Sequence, residues 1–368
     1  MRIAVQLSHP AHFHLYKNSI KNWQEHGNNV YVLIKTKDIL EELLQNSKIP
    51  YYNILPIAHR SNKLGILWDM FVRDWKIFRF CKEYNIDLLT GSTPEVAHVS
   101  KLLGLHSINT GEDDAHIVPA FTKIAGPFVK CIFAPMTCNL GQLEHKAVHY
   151  PGFQKLAYLH PKQFTPNKEI IAKYDIDTTT PYFIIRFAQL NAHHDVRING
   201  ISTEVAQKIV DILTPYGSIY ITSERPLEPQ FEKYRLHINP LDIHHIMSFA
   251  TLYIGDSQSM AVEAAMLGVP SLRFNDFVGK KKIGVMEELE HVYGLTYGIS
   301  SHEPEKLYTK IKELLNKTKL HEDFQIKRKK MLEDKIDVTA FLTWFVENFP
   351  QSQIQTENAT DEFWNQFK

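Results

Sequence analysis

The chain has 368 residues, of which 44% are hydrophobic, and it carries 41 basic and 41 acidic side chains. This length allows two domains of ordinary size, and the balanced charge excludes a global field that would favour nucleic acid or an acidic membrane. Three cysteines without metal-ligand spacing or a disulfide framework predict a reducing, cytoplasmic setting. Residues 1–7 follow a strand pattern rather than a signal-peptide pattern, and no run approaches the ~20 apolar residues of a membrane span.

Apolar runs alternate with helical patterns along the chain, which is typical of parallel sheets covered by helices. In the first half the patterns predict strand 2–7, helix 13–26, strand 29–35, helix 37–46, helix 64–84, strand 86–90, helix 95–103, strand 105–109 and strand 130–134. Residues 135–166 have no strong periodicity. The second half predicts strand 182–185, helix 202–214, strand 218–222, helix 242–249, strand 251–254, helix 258–267, strand 269–273, and helices 303–316 and 319–333.

This alternation predicts an α/β protein with two Rossmann-like domains, residues 1–160 and 161–335, whose parallel sheets face each other across a cleft. Residues 336–368 would add an amphipathic helix over 338–349 and a polar tail from residue 351. The tail is either loosely held or docked through Phe363, Trp364 and Phe367. Ligands of open α/β sheets sit beyond the carboxyl ends of the strands, so the turns that follow the strands are where candidate site residues are sought.

The most informative turn lies in residues 255–270, where an apolar strand runs into Asp256 and Ser257 and then into an Ala-rich helix. The free N–H groups of such a helix start suit a phosphate or diphosphate, so Asp256, Ser257, Gln258 and Ser259 are candidate donor-binding residues. Glu263, in the first two helical turns, is placed to accept hydrogen bonds from sugar hydroxyls. The alternative for Ser257 is an ordinary helix cap.

The turn after the first strand contains His9, His12 and His14. We choose His12 as the candidate general base, because the ordinary pKa of a histidine lies near neutrality, with His9 and His14 as possible substrate contacts. A helix-capping or water-facing histidine is the alternative. A metal site is disfavoured because further ligands with orderly spacing are missing.

Two further turns of the first half carry polar side chains. Ser92 precedes a predicted helix and suits either a cap or a substrate contact. Glu112 and Asp113, followed by a third acid, end a buried strand, where like charges repel and desolvation is costly. These two carboxylates are candidate catalytic groups, with a solvated acidic loop as the alternative.

In the second half, Arg186 ends a predicted central strand and would neutralise a diphosphate leaving group. His193 and His194 follow as weaker candidates for substrate contact, and Ser223 ends another strand where it would line the nucleotide pocket. Lys280 belongs to a lysine run that is either a solvated face or a phosphate contact.

The predicted helix 64–84 interleaves aromatic and basic residues. Its two interpretations are a peripheral contact with the inner face of the cell membrane and a set of core aromatics beside solvated basic residues.

Several of these strings together resemble a known family. Residues 9–14 (HPAHFH), residues 152–161 (GFQKLAYLHP), Arg186-Phe187 and residues 255–270 resemble the prokaryotic family designated domain of unknown function 354, a group of predicted glycosyltransferases. The resemblance covers residues 1 to about 330. This family is similar in turn to GT-B fold enzymes, including the MurG-like transferases and the non-hydrolysing UDP-N-acetylglucosamine 2-epimerases.

Individual positions match these patterns in part. His12 resembles the histidine that follows the first turn of the MurG-like enzymes, although Ser8 to Ala11 replace the glycines of that turn. Asp256, Ser257 and Glu263 match the epimerase pattern of Asp-Ser-Gly-Gly followed by an acidic residue that contacts the nucleotide ribose, with Gln258 and Ser259 in place of the glycines. An epimerase aspartate near Ser92 is absent, and His193 or His194 corresponds loosely to an epimerase histidine.

The resemblance therefore implies a GT-B glycosyltransferase that needs no cofactor or metal and takes a nucleotide-diphosphate sugar as donor. Its acceptor would be a glycan or glycolipid of a cell-surface polysaccharide pathway, and no nucleic acid is implied as a partner. In this mechanism His12 would deprotonate the acceptor hydroxyl, and the turn at Ser257 together with Arg186 would stabilise the departing diphosphate. A UDP-sugar 2-epimerase and a non-catalytic nucleotide-sugar-binding protein remain the alternatives.

Overall fold

A computed structural model describes residues 1–55, 63–189, 200–280 and 282–368, with residues 63 and 64 described by their backbone alone. The chain divides into two compact units. The first comprises Met1–Gln163 together with Lys335–Lys368, and the second comprises Phe164–Asp334.

The sheet of the first unit has seven parallel strands in the order β3-β2-β1-β4-β5-β6-β7. These strands are β1 (Arg2–Leu7), β2 (Asn29–Lys35), β3 (Tyr52–Leu55), β4 (Leu88–Gly91), β5 (His106–Thr110), β6 (Ile132–Pro135) and β7 (Ala147–Tyr150). Strand order reverses between β1 and β4, since the chain winds from β1 outwards to β3 and then returns to the other side of β1. This reversal is the topological switch point at which open α/β sheets bind ligands.

Helices connect these strands and cover the sheet. They are α1 (Pro10–Glu25), α2 (Leu40–Asn46), α3 (Lys63–Glu83), α4 (Pro94–Leu103), α5 (Pro119–Ile124) and α6 (Leu156–Leu159), with a 3₁₀ segment at Gly141–Lys146. Both α1 and α4 begin with a proline at the first helical position, where the missing N–H costs nothing. The core beneath α3 and α4 includes Ala4, Leu33, Ile77, Leu89 and Val96.

The sheet of the second unit has five parallel strands in the order β12-β11-β10-β8-β9. They are β8 (Tyr182–Phe187), β9 (Ser218–Ser223), β10 (Leu252–Gly255), β11 (Ser271–Phe274) and β12 (Thr296–Ile299). All four residues of β10 and of β11 are buried, as expected for central parallel strands covered on both faces. The switch point of this sheet lies between β8 and β10.

The helices of the second unit are α7 (Lys168–Ala172), α8 (Thr203–Leu213), α9 (Ile243–Met247), α10 (Gln258–Met266), α11 (Gly284–Glu287), α12 (Pro304–Leu315) and α13 (Leu320–Asp334). Short 3₁₀ segments lie at Pro229–Tyr234 and Pro240–Asp242, and a single π-helical turn, Glu288–Val292, follows α11.

The last residues of the chain return to the first unit as α14 (Val338–Glu347), α15 (Gln351–Glu357) and α16 (Asp361–Asn365). Helix α14 packs on α1, where the indole N–H of Trp23 donates to the carbonyl of Thr343 at 3.2 Å. Trp364 and Phe367 are 7% and 6% exposed. The tail is therefore docked through aromatic side chains rather than loosely held.

The predicted α/β class with two parallel sheets is confirmed, and most of the predicted elements are present with shifted ends. Strands β3, β7 and β12, of four residues each, were missed. The helix predicted over 242–249 is instead a 3₁₀ turn followed by the five residues of α9. These short elements carry too few residues for periodicity to be read.

Helix α3 has exposed aromatic side chains, so the interpretation of its aromatics as core residues does not hold for all of them. Trp68, Phe71 and Trp75 are 55%, 61% and 51% exposed, whereas Phe78 and Phe80 pack partly against the core. Among the described residues, no helix is both long and apolar enough to cross a bilayer.

Candidate functional site

The candidate residues lie on two topological switch points, one in each sheet. In the first unit Ser8 and His12 follow β1, and Ser92 follows β4, its partner across the switch point. In the second unit Arg186 lies in β8, and Asp256 and Ser257 follow β10. Each sheet thus brings together side chains that are far apart in sequence at the position where such sheets bind ligands.

Helix α10 begins directly after β10 and has the start that the sequence predicts. Ser257 is the N-cap, and its hydroxyl accepts from the backbone N–H of Met260 at 3.5 Å. Among the hydrogen bonds of the described residues, none uses the backbone N–H of Gln258 or Ser259, and Ser259 is exposed. The helix start therefore offers N–H donors and the positive end of its dipole to an anion.

Asp256 has a different place from the one predicted for it. Its carboxylate is 1% exposed and accepts from the backbone N–H groups of Ala188 at 2.6 Å and Ile201 at 3.2 Å. Burial raises its pKa to about 6. Because both oxygens are engaged inside the unit, Asp256 ties together the two flanks of residues 189–200 rather than pointing toward a donor.

Arg186 has an acidic partner that the sequence argument did not anticipate. Its guanidinium forms an ion pair with Glu224, whose other oxygen accepts from the N–H of Gln189 at 2.9 Å. The arginine side chain is 16% exposed and Glu224 is 47% exposed. Glu224 therefore neutralises the charge of Arg186. An entering diphosphate would have to displace that carboxylate.

Three other candidates of the second unit already have partners within it. The Ser223 hydroxyl donates to the Arg225 carbonyl at 2.6 Å. Glu263 is 8% exposed and lies 3.4 Å from Nε2 of His244. Lys280 is 57% exposed and lies 3.2 Å from Asp276. Of these, only Lys280 has the exposure of a residue that meets a ligand directly.

His12 is half-buried and held by Ser8. Its Nδ1 lies 3.3 Å from the backbone N–H of Ser8 and 3.4 Å from the Ser8 hydroxyl. Removal of the ring from water, reinforced by the charges of His9, Lys35 and Lys155, lowers the pKa of His12 to about 3. The pKa of this ring thus lies below the ordinary value on which the sequence argument relied, and the ring is neutral at physiological pH.

The other two histidines of residues 9–14 have structural partners, and His14, like His12, lies inside α1 rather than in the turn before it. His9 is exposed, and its Nδ1 accepts from the N–H of Ala11 at 3.2 Å, so it caps α1. His14 is 8% exposed and packs with its ring centroid 5.0 Å from that of Tyr158. The helix-capping alternative therefore describes His9, and His14 packs on an aromatic ring.

Ser92 belongs to a chain of hydroxyl groups at the carboxyl ends of β4 and β5. Its Oγ lies 2.8 Å from that of Thr110, which lies 3.2 Å from the hydroxyl of Tyr16. The Tyr16 hydroxyl lies 2.7 Å from Thr90. Thr93, at the N-cap of α4, donates to the side chain of Gln6 at 2.5 Å instead of capping its helix.

The three acids after β5 have three different environments. Glu112 forms an ion pair with Lys155, whose side chain is only 2% exposed, and the second Glu112 oxygen is buried without a hydrogen bond among the described residues. Asp113 is exposed. Asp114 is 3% exposed and accepts from the N–H of Asn139 at 2.6 Å. The solvated-loop interpretation holds for Asp113 alone.

Lys155 is a residue that the sequence reasoning missed as a site candidate. It lies inside the string 152–161 that carried the resemblance, and its near-complete burial beside Glu112 marks it as part of the candidate site. A second such pair joins Arg73 to Glu95 at 2.5 Å, with side chains 9% and 2% exposed. Lys155 is a single lysine in a segment without periodicity, so its burial could not be predicted from the sequence.

Two remaining questions concern metal binding and the predicted His193 and His194. In the part of the chain that the structure describes, no group of three His, Cys, Asp or Glu side chains is arranged to hold a metal ion. His193 and His194 lie outside the described residues.

No protein-family model matches the chain, and no curated protein matches it. Several solved structures do match the chain. A UDP co-structure of S. aureus MnaA is 12% identical, with 96% of this chain and 97% of that chain covered and a TM-score of 0.67. UDP-GlcNAc 2-epimerase from Neisseria meningitidis, bound to UDP-GlcNAc, is 14% identical over 96% and 100%, with a TM-score of 0.65.

MurG from Acinetobacter baumannii is also similar, at 13% identity over 95% of this chain and 99% of that chain, with a TM-score of 0.61. At such identities the likeness establishes architecture alone. The chain has the GT-B fold, with two Rossmann-like parallel sheets.

Proposed function

We propose that the protein is a metal-independent glycosyltransferase that moves a sugar from a nucleotide-diphosphate donor to an acceptor hydroxyl. One observation carries the proposal: each of the two sheets has a set of polar side chains on its switch point, and the two sets differ in chemistry. The set in the second unit suits an anion, and the set in the first unit suits a hydroxyl group.

The donor would bind to the second unit through its diphosphate. The unused N–H groups of Gln258 and Ser259 supply donors at the positive end of α10. Arg186, once released from Glu224, supplies the charge that stabilises a departing diphosphate without a metal. The structures of MnaA with UDP and of the Neisseria epimerase with UDP-GlcNAc support a nucleotide-sugar ligand for this fold.

The acceptor would bind to the first unit, where His12 accepts its proton. As the acceptor oxygen bonds to the anomeric carbon, the bond from that carbon to the diphosphate breaks, and the nucleoside diphosphate leaves with the electron pair. At neutral pH the ring of His12 is in the unprotonated form that a base requires, although its low basicity reduces the driving force for proton transfer. Glu112, held by Lys155, is the second acid–base candidate of this unit.

A thermal-shift screen with UDP-, GDP-, CDP- and dTDP-sugars, followed by a transfer assay with the stabilising donor, tests the proposal. Ligand binding at ten times Kd or more should raise the melting temperature. His12→Ala should lower transfer about 100-fold or more while the donor-induced shift survives. Unchanged turnover in His12→Ala would remove His12 from the mechanism.

The acceptor is proposed to be a glycan or glycolipid of a cell-surface polysaccharide pathway, met at the cytoplasmic face of the membrane. The exposed face of α3 supports this setting, since Trp68, Phe71 and Trp75 form an aromatic patch and Arg79 lies 5.0 Å from the Trp75 ring. Aromatic and basic side chains on one helix are typical of interfacial binding. Co-sedimentation with anionic vesicles should fall in a Trp68→Ser/Phe71→Ser/Trp75→Ser variant and persist in Lys312→Ser, an exposed change on α12.

A second candidate function is a UDP-sugar 2-epimerase, favoured by the similarity in fold to the UDP-GlcNAc 2-epimerase from Neisseria meningitidis. This reaction needs acid and base groups beside the sugar and no acceptor. NMR of UDP-N-acetylglucosamine incubated with the protein distinguishes the two, because only an epimerase produces the manno isomer. Donor binding without turnover across a panel of acceptors would instead indicate a non-catalytic binding protein.

A further inference from the structure

Arg273, on strand β11 of the second sheet, is a buried cation without a hydrogen-bond or ion-pair partner among the described residues. It lies on β11 and is 5% exposed, and no hydrogen bond or ion pair of the described chain uses its guanidinium. Two half-buried arginines of this unit differ, since Arg328 donates to the Met266 carbonyl at 2.7 Å and Arg225 to the Ile201 carbonyl at 2.5 Å. Its Nε is buried without a hydrogen bond, and its two Nη groups are not among such buried atoms, so they can donate to a molecule that enters from outside.

Arg273 lines a cavity of about 260 Å³ under α11 and the π-helical turn. Apolar side chains of Val278, Ile283 and Met286 form part of its wall, and Glu287 and Glu290 add carboxylates. Glu290 accepts from the Gly298 N–H at 2.9 Å, which fixes its position beside β12. The cavity is slightly smaller than the roughly 300 Å³ at which sites for drug-sized ligands begin.

The Arg273 side chain extends away from β10, so the cavity that it lines is separate from the start of α10. Arg186, Gly255, Arg273 and Gly298 are in register across four strands, so their side-chain directions share one face of the sheet. A Cβ on Gly298 would lie 2.8 Å from Nη2 of Arg273. The Arg273 side chain therefore extends over β12, away from β10, whereas that of Arg186 reaches Glu224 beyond β9.

We propose that this cavity is a monosaccharide-binding site, separate from the nucleotide site at the start of α10. A sugar hydroxyl both accepts and donates, so one ring can accept from Arg273 and donate to Glu287 and Glu290. Its C–H groups would pack against Val278, Ile283 and Met286. The inference does not depend on glycosyl transfer, because it follows from the buried charge and the cavity alone.

A small anion is the competing occupant, and the lining disfavours it. The nearby carboxylates of Glu287 and Glu290 act to raise the pKa of Arg273, although burial lowers it more. An anion bound to the guanidinium would meet the repulsion of these two negative charges. A neutral hydroxylated ring meets no such repulsion and uses the carboxylates as acceptors.

Saturation-transfer NMR with glucose, N-acetylglucosamine, glucuronate and inorganic phosphate tests the proposal. At least one neutral sugar should bind to the wild-type protein and remain bound when UDP is added in excess. Displacement of the sugar by UDP would assign the cavity to the nucleotide site and overturn the proposal. Binding of phosphate or glucuronate alone, or of none of the four, would overturn it as well.

Two variants target the site in different ways. Arg273→Met should weaken sugar binding about 10-fold or more, the range for hydrogen bonds to a charged group, in protein whose circular dichroism matches that of the wild type. Gly298→Ala should weaken the same binding by placing its methyl group between Arg273 and Glu290. Unchanged sugar binding in folded Arg273→Met and Gly298→Ala would contradict the proposal.

Arg186→Gln is the matched control, since this arginine lies in the same row of the sheet. It should weaken UDP binding and leave sugar binding unchanged. Loss of sugar binding in Arg186→Gln would show that the two sites are one. Failure of UDP to bind to the wild-type protein would count against the proposed function and leave the sugar result intact.

Discussion

Ser8 offers His12 two alternative partners at the same ring nitrogen. The backbone N–H of Ser8 lies 3.3 Å from Nδ1 of His12, and the Ser8 hydroxyl lies 3.4 Å from it. The N–H can only donate, so it favours the tautomer with the proton on Nε2. The hydroxyl can donate or accept, so it is compatible with both tautomers. By accepting, it is the group of Ser8 that permits the tautomer with the proton on Nδ1, which leaves the Nε2 lone pair free for an acceptor proton.

Ser8→Ala should therefore reduce the population of the tautomer that acts as a base at Nε2. We expect kcat to fall several-fold with little change in donor affinity, and the ¹⁵N shifts of the ring to move toward the Nε2–H form. Ser8→Thr retains the hydroxyl and should restore both values. An unchanged tautomer ratio in Ser8→Ala would contradict this role for the hydroxyl.

The lowered pKa of His12 fixes the sign of two pH effects. The folded ring, with a pKa of about 3 against an ordinary 6.5, stays neutral at pH 5, so His12 should produce no loss of activity between pH 7 and pH 5. The unfolded chain takes up a proton at His12 between pH 6.5 and 3, and the folded chain does not. The free energy of unfolding should therefore decrease with falling pH across this window, by up to about 1.4 kcal/mol per pH unit.

Denaturant unfolding of the wild-type protein and of His12→Asn between pH 7 and pH 4.5 measures the contribution of His12 to the pH dependence of the free energy of unfolding. The variant lacks the titrating ring and should show the smaller slope. Equal slopes would mean that the ring titrates normally in the folded protein. A two-dimensional NMR titration of His12 gives the same answer without unfolding.

Asp256 should act on stability in the opposite sense. Burial raises its pKa in the folded state to about 6 from 3.8, so the folded protein binds more protons than the unfolded chain between these values. Its contribution to the free energy of unfolding therefore falls as pH rises from about 4 through 6. Asp256→Asn should remove this dependence. A change in slope of the same sign as that of His12→Asn would contradict the assignment.

The Lys155–Glu112 pair should behave asymmetrically when it is broken. Lys155 is 2% exposed and Glu112 is 21% exposed, so loss of the carboxylate leaves the more deeply buried charge without that partner. Glu112→Gln should cost about 3 kcal/mol or more, and Lys155→Met should cost less. The double variant should be more stable than the sum of the two changes predicts, as a double-mutant cycle measures. Additive effects would show that the two groups do not interact.

The sequence predicted the parts of this protein that depend on local patterns. Strand β10 and the start of α10 are an apolar run followed by Asp256 and Ser257, and a cap of this kind needs only neighbouring residues. Strand β1 was equally local, whereas α1 begins at Pro10, three residues before the predicted start at residue 13. The GT-B fold then followed from the alternation of strands and helices, together with the resemblance.

The partners of the candidate residues could not be predicted, because they are distant in sequence. Glu112 and Lys155 are 43 residues apart, and Arg186 and Glu224 are 38 apart. Neither spacing has a periodicity that a sequence reveals. Asp256 was assigned to the donor for the same reason, since nothing local indicates that its oxygens accept from Ala188 and Ile201.

The contact between Trp23 and Thr343 spans 320 residues, and it sets the order in which the protein is completed during synthesis. A ribosome adds about 5–20 residues per second, so Trp23 waits roughly 15 to 60 seconds for the helix that covers it. The whole second unit emerges in that interval. Helix α1 thus leaves the ribosome well before the helix that covers it, and its apolar side is meanwhile a surface for chaperones to shield.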